Sequence, residues 1–378
     1  MARVRLRFLD NLRVLVIALV MVTHLSITYG GEGSWYYKEG GADLLTFVPL
    51  TLNNAVVQSF AMGLLFAIAG YFTPNSLDRK GAGRFLRDRL LRLGIPLLVY
   101  DYVVHPLLLV FLGEIAGCGE AAYQGYLDYL STGWHLGSGP LWFVETLLAL
   151  TIFYVGWRWA SKRRDGPRRA DAPSPRLKTI LAFAAVLGVL TFLVRLWFPI
   201  GWAFRPLNLQ LCFFIQYIGM YIAGAIAYRR GWLMRLPPTL GPSCLRVARR
   251  LLLIGMPLLF LLGGAMSDDV SRFFGGFRWQ ALVYALWEQC FGVTLIVGLL
   301  VRFRERLNHQ GPFAREASVC SYTIYVIHAP VIVVLAVAVR NIRIYPLLKF
   351  ALVAAIAIPL CFLLAAGVRR LPLARRVL

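Results

Sequence analysis

The chain of 378 residues is 59% hydrophobic and carries a formal net charge of +22, with a mean hydropathy of +0.66. Soluble globular chains are nearer to about 45–50% apolar, so the composition excludes an ordinary soluble domain and defines an integral membrane protein. The positive charge does not point to nucleic acid, because no aromatic–basic recognition module and no zinc-ligand spacing accompanies it.

A membrane-spanning helix needs about 20 predominantly apolar residues. In chain order the stretches that meet this length are 11–30, 48–72, 93–112, 140–158, 177–198, 208–228, 251–267, 279–301, 319–339 and 345–368. The first follows Arg3, Arg5 and Arg7 and so has the outline of a signal peptide. Its apolar run is long, however, and no small-residue cleavage site closes it before Gly30, so it reads as a retained helix. The expected fold is all-α: a polytopic membrane protein of about ten transmembrane helices, forming a single domain over residues 1–378. Residues 162–176, charged and rich in proline, read as a mobile loop within it. Residues 113–139 read as the longest loop on the other side. They hold acidic residues, no Lys or Arg, and many Gly, Tyr and Trp, which makes them a candidate acceptor-facing surface.

Lys and Arg alternate from loop to loop. Under the ten-span order, 31 lie on the side of the N-terminus and 7 on the other, with Arg13 and Lys349 at helix ends. A positive-inside bias of this regularity puts both termini, and the 162–176 loop, in the cytoplasm. It also suits anionic lipid and anionic cytosolic ligands. The six cysteines form no CxxC pair. Unpaired buried thiols are the expectation, with a bridge between Cys118 and Cys212 the one conceivable pairing. No metal site is expected, since the five histidines make no ligand-spaced grouping.

An ionisable side chain inside a span costs about 2.5–3.5 kcal/mol on insertion scales and is a functional candidate for that reason. Five stand out: Arg13, His24, Glu145, Glu288 and His328, in the company of Gln58, Gln216 and Gln289. Arg13 lies at the cytoplasmic edge of the first span. His24 lies about 16 Å further along it, toward the outer leaflet, at roughly the depth of Glu145. Each has a structural alternative, a snorkelling arginine or a histidine that bonds a neighbouring helix. Together they trace a polar path, basic at its inner end. A second basic group, "RFLRDRLLRLGIPLL" from Arg84 to Leu98, places Arg89 and Arg92 three residues apart, on one face of a helix at the membrane edge. Paired guanidiniums there are suited to phosphate.

These residues carry a resemblance. "FLDNLRVLVIALVMVTH", "LFAIAGYFTP", "RLLRLGIPLL", "GPLWFVETLLAL" and "SYTIYVIHAPVIV" occur in order over nearly the whole chain. In this the sequence resembles the acyltransferase 3 family of bacterial integral-membrane acyltransferases, and most closely its glucan biosynthesis protein C-like branch. The resemblance implies a multi-pass protein of the bacterial inner membrane. Its implied activity moves an acyl group, acetyl or succinyl, from cytosolic acyl-coenzyme A to a hydroxyl of an extracytoplasmic or membrane-linked carbohydrate. It implies that Arg13, with His24 eleven residues on, and the Arg89/Arg92 pair are required. Trp142 and Glu145 depart from the family's usual spacing, so Glu145 transfers more weakly.

On this expectation Arg13, Arg89 and Arg92 bind the phosphates of the donor, whose extended pantetheine arm, about 20 Å long, delivers the thioester to His24. His24 is then the general base for the acceptor hydroxyl, or itself the acyl acceptor, with Glu145 as the group that orients it. His328, Glu288 and Trp142 are secondary candidates. The partners expected are acyl-coenzyme A, a carbohydrate acceptor and membrane lipid. The residues alone leave one alternative, a secondary transporter or a flippase for a lipid-linked sugar.

Overall fold

In a bilayer a backbone can satisfy its N–H and C=O groups only within itself, so long apolar runs close into helices. The computed structural model describes residues 5–115, 117, 139–161, 173–204, 207–264 and 270–377. It is all-helical, with one isolated bridge between Phe204 and Leu209 among the described residues. Nine of the described helices are long and apolar enough to cross a membrane. The long helices are α1 (Arg7–Thr28), α2 (Leu44–Lys80), α3 (Ala82–Gly113), α4 (Trp142–Ala160), α5 (Leu177–Arg195) and α6 (Phe214–Arg229). They continue with α7 (240–262), α8 (Trp279–Arg306), α9 (Pro312–Ala338) and α10 (Pro346–Val368). All but α7 correspond to the nine. The 162–176 loop lies outside the described residues except for 173–176, and the 113–139 loop except for its ends.

α7 corrects the seventh expected span, 251–267. Its helix begins eleven residues earlier, at Leu240, and the described helix ends at Leu262; residues 265–267 lie outside the described part. The basic turns of Arg246, Arg249 and Arg250 belong to the same rod as the apolar part. The 23 residues from 240 to 262 are about 34 Å long.

α3 and α7 share a local device. Both contain π-helical turns, at Leu90–Gly94, Tyr100–Val104 and Leu251–Gly255, and each ends two residues before a proline: Pro96, Pro106 and Pro257. A proline within a helix donates no N–H and its ring crowds the carbonyl four residues back. A widened turn at that point relieves the crowding while the rod continues. One more π turn, Phe111–Ile115, carries the rod of α3 two residues past Gly113. The break between α2 and α3 is made by Gly81, which closes α2 with an N–H bond to the Leu77 carbonyl (2.9 Å) and a φ of 74° that a side chain would strain.

α1 runs through the middle, packed on α2, α8, α9 and α10, while α2 also meets α3, α4, α6 and α8. Lipid offers no hydrophobic force between helices, so close contact depends on small residues and interhelical hydrogen bonds. Both are present on α2. A Cβ at Gly70 would run into the carbonyl of Tyr221, and one at Gly224 into the carbonyl of Ala67, so α2 and α6 meet backbone to backbone. Gly292 of α8 lies likewise against the carbonyl of Ser59, which also accepts from Gln216 Nε2 (2.7 Å).

The loops bind one another in two sets. Asn11 donates to the carbonyls of Leu307 (2.7 Å) and His309 (3.0 Å), Arg229 pairs with Asp78 (2.6 Å), and Arg304 holds the carbonyls of Leu233 and Leu236 (2.7 and 2.6 Å). At the other end Lys349 meets Glu39 (2.7 Å), Tyr345 donates to Asp43 (3.1 Å), and Ile200 N–H donates to Phe274 (2.9 Å). These are the two groups that the charge alternation separates, and they occupy opposite ends of the bundle.

Candidate active site

The eleven residues from Arg13 to His24 are close to three α-helical turns. α1 is unbroken over that stretch, so the two side chains leave nearly the same face about 16 Å apart. His24 lies one turn before the helix ends at Thr28. There the chain doubles back: Gly31 N–H donates to Ser26 (2.7 Å), Glu39 N–H to Thr28 (2.8 Å), and Asn54 Nδ2 holds the carbonyl of Glu32 (2.8 Å). This fastening carries Trp35 and Tyr36 over the end of α1.

The imidazole of His24 stacks on Trp35, with ring centroids 3.7 Å apart at 14°, and on its other neighbour His328 at 5.3 Å and 21°. His328 is fully buried on α9. Its Nδ1 donates to the carbonyl of Tyr325 (2.7 Å). A carbonyl only accepts, so the bond assigns a proton to Nδ1; in the neutral ring Nε2 then carries the lone pair. Tyr325, in turn, donates its hydroxyl to the carbonyl of Pro140 at the start of α4.

Buried polar atoms nearly always have partners. Among those that do not are His24 Nδ1, His328 Nε2 and Trp35 Nε1, whose rings stack on one another, and Asp101 Oδ1 on α3. The indole can only donate and the carboxylate oxygen can accept, so the set offers both kinds of bond to a polar ligand. Beside it, Tyr36 joins His105 Nδ1 (2.6 Å) and the hydroxyl of Tyr100 (3.2 Å) in one chain of hydrogen bonds. Tyr36 also packs edge-on against Trp35.

Glu145 is placed differently from the expected orienter. His24 makes no hydrogen bond to it; its ring neighbours are Trp35 and His328. Glu145 instead stands near Asp101, close enough for the two like charges to interact. The reason lies in α3, whose second π turn turns Asp101 inward to 4% exposure.

The three expected arginines lie toward the other end. Arg13 is near enough to Arg89 to repel it, and Arg89 to Arg92. Arg13 pairs with Asp10 (3.2 Å) and lies over the ring of Phe72. Arg89 is half-buried over Phe85, whereas Arg92, inside the π turn Leu90–Gly94, is exposed. The wide turn rotates Arg92 away from the strictly shared face that an α-helix would give. The carboxylate nearest in sequence, Asp88, is taken by Lys80.

Two secondary candidates lie elsewhere. Glu288 is bound to Arg195 (2.7 Å), the side chains 3% and 0% exposed, and to Gln289 (3.3 Å), which receives Gln216 (3.0 Å). Trp142 stacks on Tyr217 of α6 at 5.3 Å, and that hydroxyl accepts from Gln58 (2.8 Å). Asp101, His105 and Arg195 are absent from the ionisable positions drawn from the sequence, although all three fall within expected spans (93–112 and 177–198). The rule that selected His24 would have selected them. Trp35 and Tyr36 carry a weaker signal, the aromatic run "WYY" after glycines.

A helical bundle with several membrane spans, an imidazole cluster near one end and a basic cluster at the other is the architecture of a multi-pass membrane enzyme. The chain belongs to the acyltransferase 3 family: the model of its acyltransferase domain matches residues 6–366. Among curated proteins it is similar to glucans biosynthesis protein C of Salmonella paratyphi A and of Salmonella agona, each 28% identical over 231 residues, 58% of either chain. The protein of the same name from Salmonella enteritidis PT4 is similar to the same degree. The match thus spans less than two thirds of these relatives. No solved structure matches the chain.

Proposed function

We propose that the protein is an acyl-coenzyme A-dependent O-acyltransferase of the bacterial inner membrane, acting as a single domain over residues 1–378 with both termini in the cytoplasm. The donor is acetyl- or succinyl-coenzyme A, and the acceptor is a hydroxyl of an extracytoplasmic or membrane-linked carbohydrate. The observation that carries this reading is the shared axis of α1. It bears Arg13 within the cluster of Arg89 and Arg92 at one end and, three turns on, His24 among buried polar atoms that lack partners.

The arginines hold the phosphates of the donor at the cytoplasmic end. The pantetheine arm spans the roughly 16 Å to His24, a distance it covers in an extended form. His24 takes the proton of the acceptor hydroxyl as that oxygen attacks the thioester carbonyl, and coenzyme A leaves as the thiolate, which takes up a proton. If His24 instead accepts the acyl group first, the same residues serve a two-step route. His328, whose Nε2 faces no partner, and Trp35 hold the ring of His24, the role expected of Glu145. The cluster of Asp101 and Glu145, with Tyr36, Tyr100 and His105, supplies hydrogen-bonding groups for a sugar.

The test is acyl transfer by the purified protein in detergent, with labelled acetyl- and succinyl-coenzyme A and no ion gradient. Release of coenzyme A that depends on His24 is the expected result. A protein that binds a lipid-linked sugar but never turns over either thioester would be the transporter or flippase instead.

A further inference from the structure

We infer that a groove between α7 and α8, at the end of the bundle that carries most of the arginines, binds the phosphate of an anionic membrane lipid. The groove has a volume of about 460 Å³ and is lined by Arg246 and Arg249 from α7 and by Arg302, Glu305 and Arg306 from α8. Residues three or four apart share a helix face, so two guanidiniums from each helix converge on one concavity.

The groove holds one carboxylate for these four guanidiniums. Its carboxylate, Glu305, is held by Arg304 (2.8 Å), a fifth arginine that also grips the carbonyls of Leu233 and Leu236. Among the described residues Arg249, Arg302 and Arg306 make no hydrogen bond or ion pair, and Arg246 has only the hydroxyl of Ser243 (3.3 Å). Four like charges gathered around one carboxylate that a fifth arginine already engages repel one another unless a further anion joins them. A phosphate, which accepts paired N–H bonds from guanidiniums, matches that geometry. Positive-inside bias accounts for the sign of these residues but not for their convergence from two helices.

A lipid, rather than a soluble phosphate, is favoured by what continues below. Past Arg249 and Arg250 the same helix presents Leu253, Ile254, Leu258 and Leu261, which are 65%, 57%, 49% and 63% exposed. A basic pocket followed along the same helix by exposed apolar residues suits a charged headgroup with acyl chains, and pockets of this kind between helices recognise such headgroups. The groove shares no residue or helix with Arg13, Arg89 and Arg92, so its occupant is separate from the proposed donor.

The experiment uses the full-length protein, stripped of lipid in a neutral detergent, with binding of phosphatidylglycerol followed by native mass spectrometry. Phosphatidylglycerol is expected to bind more tightly than zwitterionic phosphatidylcholine. The double variant Arg249→Gln/Arg302→Gln should lose at least about tenfold in affinity, and Arg315→Gln/Arg370→Gln, exposed outside the groove, should lose nothing. Equal binding by the groove variant, or an equal loss in the outside variant, would overturn the site. Displacement of the lipid by pyrophosphate at equal concentration would assign the groove to a soluble phosphate and overturn the lipid. If the double variant does not fold, Arg306→Gln alone, at an exposed position, carries the same comparison with a smaller loss.

Discussion

The imidazole of His24 and the indole of Trp35 lie face to face, 3.7 Å between centroids. They come from different parts of the chain: His24 from the last turns of α1, Trp35 from the connection that folds back over it. The position of the histidine ring therefore depends on a loop held by a few backbone bonds. Aromatic stacking contributes about 0.5–1.5 kcal/mol beyond burial. Trp35→Leu should accordingly reduce transfer about two- to tenfold with unchanged donor affinity, and Trp35→Phe should retain most of the rate. Steady-state turnover and equilibrium donor binding on the same preparation check this.

His24 itself is expected to be indispensable. His24→Gln keeps a hydrogen-bonding side chain of similar reach but takes no proton at neutral pH, so transfer should fall by about 10²–10⁴-fold. Binding of acyl-coenzyme A should persist, because the basic cluster lies three helical turns away. Near-normal turnover by a folded His24→Gln protein would remove His24 from the mechanism and leave His328 as the next candidate.

The π turn that begins after Arg89 and contains Arg92 makes the two unequal. Arg89 is half-buried and adjacent to Arg13, whereas Arg92 is exposed. A hydrogen bond to a charged group is worth about 1.5–3 kcal/mol, so Arg89→Ala should weaken donor binding by roughly ten- to a hundredfold. Arg92→Ala should cost less. Calorimetric titration with acyl-coenzyme A would show the order, and unchanged affinity in the double variant would refute the donor site.

The pair of Arg195 and Glu288 is expected to be structural. Both side chains are buried, and Glu288→Gln leaves a guanidinium without its counter-charge. Breaking a buried pair from one side costs about 3–5 kcal/mol. Thermal unfolding in detergent should move well down for Glu288→Gln and recover in the double variant Arg195→Met/Glu288→Leu, which removes both charges. Substrate affinity of whatever protein folds should be unchanged.

Orientation is open to a direct check. In a background without its six cysteines, a cysteine in place of Ser174 should react with an impermeant maleimide only after the cells are opened. Reaction from outside intact cells would reverse the assignment of the two ends.

The helical class and nearly every span were legible in the amino-acid order, because hydrophobic length acts locally and needs no knowledge of packing, and the family was legible in five short motifs kept in order. The spacing of Arg13 and His24 was equally legible, since an α-helix converts eleven residues into three turns and a common face. The seventh helix starts earlier than its expected span, because its first turns are basic and amphipathic and hydropathy does not count them as membrane helix.

Packing decided the rest. Residues 24, 35 and 328 belong to three separate segments, and only the fold of α1, the loop beyond it and α9 brings them together. Glu145 and Glu288 looked alike in sequence, each a carboxyl within an apolar span. Tertiary structure set one beside Asp101 and gave the other to Arg195. A buried charge takes its role from the groups that surround it, and those neighbours are chosen by helix packing across the bundle, where sequence distance carries no information.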